Sequence, residues 1–72
     1  MSLFDAEIGT VYTISSIEID DKELLSFLFS LGCYSGEEIT LIHRRKGGCV
    51  VSIKDGRYNI DKALASAIIL NS

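Results

Sequence analysis

Residues 37–61, EEITLIHRRKGGCVVSIKDGRYNID, read as three short strands separated by two glycine turns. In the first strand, Glu37 to Arg45, the side chains Ile39, Leu41 and His43 share one face, and Thr40, Ile42 and Arg44 share the other. In the second, Cys49 to Lys54, the face carrying Cys49, Val51 and Ile53 is apolar. Gly47-Gly48 predicts the first tight turn. Asp55-Gly56 predicts the second, as a type I′ hairpin that needs φ > 0 at both central positions. Arg57 to Ile60 completes a meander.

Working outward, Thr10 to Ile19 is rich in β-branched residues and predicts another strand. Its alternation is imperfect. Val11 and Ile17 fall on one face, Tyr12 and Ile14 on the other, as expected of a strand that bends between two sheets. Asp20 to Leu31 predicts a helix, with Asp20 as N-cap and Glu23 three residues on. Leu24, Leu28 and Leu31 mark its inward stripe, and Gly32 its C-terminal stop. After the meander, Asp61 caps a single helical turn over Lys62 to Leu64, and Ala67 to Leu70 forms the last strand. The pattern is all-β with a minor helix: a small barrel of about five strands, with one helix in the first long connection.

The chain has 72 residues, enough for one domain, with 47% apolar and 24% charged residues, a globular composition. The net charge of −3 argues against nucleic acid as a partner, since phosphate binding needs a basic surface. The charge is uneven. Residues 1–38 hold eight acids and one base, and residues 39–72 hold six bases and two acids. Met1 to Glu7 lacks the basic stretch of a secretory leader. The longest apolar stretch, Leu24 to Leu31, is interrupted by Ser26 and Ser30 and is far shorter than the roughly 20 residues of a membrane span. A cytoplasmic protein with no direct membrane insertion is expected. Cys33 and Cys49 then read as buried thiols, not as a disulfide.

No cofactor or catalytic motif is present, and the sole histidine, His43, has no partner at a fixed spacing, so no enzymatic activity and no cofactor are expected. Cys33, His43 and Cys49 are the candidate metal ligands. Their separations of ten and six residues lack the close pairs of a zinc site, and the expectation is that no metal site forms. Arg44, Arg45 and Lys46 precede two glycines without the rest of a phosphate-binding loop. They read as a solvated tip and as a candidate partner contact. The helix carries more apolar residues than one buried stripe requires. Leu25, Phe27 and Phe29 are therefore candidate partner-binding residues, with Phe29 off the stripe set by Leu24, Leu28 and Leu31.

These positions, taken in order, resemble the FeoA family: Gly9 with Ile14 and Ile17; Leu28, Leu31 and Gly32; Gly36 with Ile39 and Leu41; Val51, Ile53 and Gly56; then Ile60, Ala65 and Ile68. The resemblance spans nearly the whole chain and rests on order and spacing. It implies an SH3-like barrel and an accessory role in bacterial ferrous iron uptake, through binding the cytosolic GTP-binding portion of the ferrous iron permease. Three positions depart from the family. Ser26 and Phe27 replace a basic pair before the Leu-x-x-Leu-Gly stretch, and Ser35 replaces a proline before the second glycine. The alternatives are a small regulator that binds a transition metal ion itself and a homodimerising SH3-like module. A similar barrel occurs as the C-terminal domain of iron-dependent repressors; no DNA-binding helix-turn-helix is read in these residues, so a whole repressor is not expected.

Overall fold

The structure is a computed structural model that describes residues 1–71. After a short 3-10 turn at Leu3–Asp5, the elements are β1 (Val11–Ile17), α1 (Lys22–Leu31), β2 (Glu38–Arg45), β3 (Gly48–Ile53), β4 (Gly56–Asp61), α2 (Lys62–Ala67) and β5 (Ile68–Asn71). They form one antiparallel five-stranded sheet in the order β4-β3-β2-β1-β5. The expected barrel with a helix in its first long connection is therefore present.

Two register shifts curl the sheet. In β1 the register to β5 slips between Ile14 and Ser16, which inserts Ser15 as an extra residue. The slip lets Ile14, fully buried, and Ile17, half-buried, follow each other on the inner side despite their odd spacing. In β2 the register to β3 slips between Leu41 and His43. Ile42 is the extra residue, and it reverses the phase of everything after it. Ile39 and Leu41 are buried as read from the sequence, but His43 turns to solvent and Arg44 turns in. The expectation that His43 shares the face of Ile39 and Leu41 is corrected by this bulge.

Arg44 now has a structural task. Its Nε donates to the Phe4 carbonyl at 2.7 Å and a terminal nitrogen donates to the Ala6 carbonyl at 2.5 Å. Its guanidinium lies 5.7 Å from the Phe4 ring centroid. The N-terminal segment, anchored by the buried Leu3 and Ala6, is thereby tied to the barrel. The remaining core comes from Cys33, Cys49, Val51, Ile53, Ile60, Leu64, Ala65, Ile68 and Leu70 with Leu28 from α1.

Both hairpin turns sit one residue earlier than their glycines suggest. Arg45 pairs with Gly48 and Ile53 pairs with Gly56, so the loops are Lys46-Gly47 and Lys54-Asp55. The expected type I′ turn centred on Asp55-Gly56 is not formed. The positive φ of that turn lies at Lys54, at 53°, its first central position. Gly48 and Gly56 instead open their strands, where a side chain would meet a neighbour. A Cβ on Gly48 would strike the Ile60 carbonyl oxygen, and one on Gly56 would strike the Tyr58 ring.

The helix cap also shifts by one. Asp21, not Asp20, is the N-cap, and its carboxylate accepts from the amides of Glu23 and Leu24 at 2.9 and 3.3 Å. Gly32 ends the helix with φ 92° as read from the sequence. Asp61 caps α2 by accepting from the Leu64 amide at 2.7 Å, and α2 runs three residues beyond the expected single turn, to Ala67. Asp21→Ala should cost about 1 kcal/mol, the usual value of a lost N-cap, whereas Asp20→Ala should stay within about 0.5 kcal/mol. Urea unfolding followed by circular dichroism checks this, and equal losses would place the cap wrongly.

Candidate docking site

The helix α1 is less embedded than its sequence suggests. Leu28 alone is fully buried, at 1% exposure, while Leu25 and Leu31 are half-buried. Leu24 is exposed, so the expected buried stripe of Leu24, Leu28 and Leu31 holds only in part. Phe27 and Phe29 are 51% and 64% exposed. Two residues apart, they differ by about 200° around the helix and so lie on opposite flanks. Phe29 shares its flank with Leu25. Phe27 shares its flank with Leu24. The structure therefore divides the three candidate helix residues between two surfaces.

The Phe29 flank opens into a groove of about 440 Å³ between the C-terminal end of α1 and the β3–β4 hairpin. Phe29, Leu31 and Tyr34 form one wall, and Ile53, Lys54, Gly56 and Tyr58 the other. The Phe29 and Tyr34 rings are 4.7 Å apart at 31°. Gly32 sets the width of the groove. A Cβ there would come within 2.9 Å of Lys54 Cε, so the Lys54 stem lies against the helix end. The Lys54 ammonium reaches Glu37 at 3.4 Å. That hydrogen bond, with the Glu37 charge, raises the Lys54 pKa. The lysine is thus held charged at the groove edge. Such a surface offers aromatic faces with a polar rim, the composition of a protein contact.

Tyr34 and Tyr58 were not legible as site residues. The available signal was weak: Tyr58 has the same strand parity as the buried Ile60, which places it on the inner side of β4 beside Gly56.

The basic tip is dispersed. Arg44 is committed to the N-terminal segment as described above. Arg45 donates to the Asn59 side chain, and Lys46 is exposed in the turn. Arg45 and Lys46 border a shallow depression with Gly47, Asn59 and Asp61. Cys33, His43 and Cys49 are not brought together as ligands. His43 is exposed, both thiols are buried, and among the described residues no group of three or more His, Cys, Asp or Glu is placed to hold a metal ion.

Burial pushes the Cys33 thiol up to about 11 and raises that of Cys49, against the lowering effect of Arg44 and Arg45. The thiolate is the reactive form. A thiol-specific reagent at about pH 8 should therefore count no cysteine in the folded protein and both in urea. The raised folded pKa means the native state holds this proton more tightly than the unfolded chain. Stability should fall as pH rises from the usual value of 9.0 towards 11. Rapid labelling of native Cys33 would contradict its burial.

The sequence profile of the FeoA domain matches residues 1–72. The chain belongs to the FeoA domain family. No curated protein sequence matches it. Among solved structures, FeoA of Stenotrophomonas maltophilia complexed with zinc, described as a procaryotic SH3 domain protein, superposes with a TM-score of 0.84 at 17% identity, covering 99% of this chain and 89% of that one. Iron(II) transport protein A from Clostridium thermocellum gives a TM-score of 0.86 at 24% identity, over 97% of this chain and 44% of that one. A manganese-dependent transcriptional repressor in complex with manganese gives 0.86 at 23% identity, over 99% of this chain but 35% of the other. The FeoA fold is thus an SH3-like barrel, as expected, and it also occurs as part of longer regulators. Among the described residues no helix is long and apolar enough to cross a membrane.

Proposed function

We propose that the protein is an accessory factor of ferrous iron uptake that acts from the cytoplasm by docking on the GTP-binding portion of the ferrous iron permease. The family membership supports the transport role. The Stenotrophomonas relative is described as possibly acting as a bacterial ferrous iron transport activating factor, which supports the same reading. The observation that carries the docking site is Phe29, 64% exposed beside Tyr34 and Tyr58 in a groove built by two different elements. An aromatic side chain held this openly on a small barrel serves a partner better than it serves the fold. The role is binding and not catalysis.

The test is a binding titration with the purified cytosolic domain of the permease. Phe29→Ala should weaken binding by roughly 2 kcal/mol, the loss expected of an aromatic anchor. Arg45→Ala tests the basic tip in the same titration, and a loss there larger than that of Phe29→Ala would move the docking site to the tip. Equal affinity of Phe29→Ala and the parent chain would move the docking site away from this groove.

A further inference from the structure

The opposite flank of α1 carries a second apolar surface, separate from the aromatic groove. A cleft of about 300 Å³ lies between the first turn of α1 and α2, with Ile19, Leu24, Ala63, Leu64 and Ala67 as its walls. Leu24 and Phe27, three residues apart, are neighbours on the helix surface, so Phe27 extends the apolar strip beyond the cleft.

One carboxylate lines the cleft, and four more lie close to its lining residues along the chain. Asp61 lines it directly. Glu18 adjoins it, since its amide donates to the Ala67 carbonyl at 2.7 Å. Asp20, Asp21 and Glu23 surround the start of α1 next to Leu24, and all five acids are solvent-exposed. Lys22 and Lys62 are the bases nearby in sequence. Lys62 is engaged elsewhere, with its ammonium 5.3 Å from the Phe4 ring centroid. An apolar slot with a negative rim selects for an apolar side chain flanked by positive charge, and repels acidic segments.

We propose that the α1–α2 cleft is a docking site for a basic amphipathic protein segment. An aliphatic or aromatic side chain of that segment fills the slot between Leu24 and Leu64, and its Lys or Arg residues meet Glu18, Asp20 and Glu23. This site stands apart from the Phe29 groove, and the two surfaces allow the barrel to hold two elements of a partner, or two partners, at once.

The experiment uses the intact, isotope-labelled chain and two synthetic amphipathic peptides, one of leucine and lysine and a twin with glutamate at every lysine position. The lysine peptide is expected to shift the amide signals of Ile19, Leu24, Ala63, Leu64 and Ala67 saturably, and the glutamate twin to bind at least about tenfold more weakly. Raising salt to about 1 M, where the Debye length falls to about 3 Å, should weaken the lysine peptide several-fold. Glu18→Lys with Glu23→Lys should weaken it about fivefold, since each exposed pair contributes modestly. Neither side chain serves as a cap, so an unchanged spectrum of the free variant verifies the fold. Leu24→Ser should remove the slot contact without touching the rim. Equal binding of the two peptides, shifts confined to Phe29, Tyr34 and Tyr58, or no shifts at about millimolar peptide, the weak end of measurable affinity, would each overturn the proposal.

Discussion

Gly48→Ala should cost about 3 kcal/mol or more, a large share of the roughly 4–11 kcal/mol that a chain of this length has in total. Gly48 opens β3 and pairs with Asp61 on β4. It is buried, and an added Cβ would meet the Ile60 carbonyl oxygen, with the Asp61 Cα at 3.1 Å. Those are backbone atoms of a strand that is itself held by the sheet, so no side-chain rotation relieves the clash. Either β4 moves away from β3, which loosens the ladder, or the bond angles absorb the strain. The neighbouring Gly47 is the control. It is exposed in the turn with nothing within 4 Å of an added Cβ, so Gly47→Ala should stay within about 0.5 kcal/mol. The measurement is the urea midpoint of both variants. Midpoints that fall together would mean that the turn conformation, and not the approach of β4, sets the requirement for glycine.

Leu28→Ala is expected to destabilise the fold by about 2–5 kcal/mol, as core truncations do. Leu28 is the one fully buried side chain of α1, at 1% exposure. Its removal takes away the main attachment of the helix to the barrel as well as leaving a cavity. Amide exchange across 22–31 should therefore rise more than in β2 and β3. Phe29→Ala bears on a different quantity. Its ring stacks on Tyr34 but is mostly exposed, so the cost should be about 1 kcal/mol or less. The binding loss predicted above should appear without a matching loss of stability. Equal destabilisation by the two substitutions would show the helix buried all round and would exclude Phe29 as an outward anchor.

Much of the architecture was legible because it follows from local chemistry. The β-branched runs of β1, β2 and β3 declare strands. The Leu24-Leu28-Leu31 spacing ended by Gly32 declares a helix, and Asp61 announces α2. Cys49, Val51 and Ile53 alternate inward without interruption and were placed correctly. The cap, the turns and the burial of Leu24 differ from the reading by a residue or by how deep the helix sits, and the largest difference lies where one inserted residue changes the phase. The bulge at Ile42 cannot be seen in EITLIHRR, because Ile39 and Leu41 set one face and no residue type after them marks an extra residue in the strand. It decides that His43 faces water and that Arg44 reaches the carbonyls of Phe4 and Ala6, which are 40 and 38 residues away.

The docking surfaces divide in the same way. The surplus of apolar residues on α1 is a property of the sequence alone, and so is the opposition of Phe27 and Phe29, which the helical period dictates. The partners of each flank are not. Tyr34 follows the helix end and meets Phe29 locally, but Tyr58 joins them, and Leu64 joins Leu24, only because the barrel carries the β3–β4 hairpin to one end of α1 and α2 to the other. The glycines make the same distinction. Gly32 is required by its own backbone, whose positive φ no β-branched residue tolerates well, so the sequence by itself marks it as a helix stop. Gly48 and Gly56 have no such local need. Gly56 is crowded by the Tyr58 side chain two residues on in the same strand, whereas Gly48 is glycine because Ile60 approaches from another strand, and only the tertiary structure decides how near two segments come.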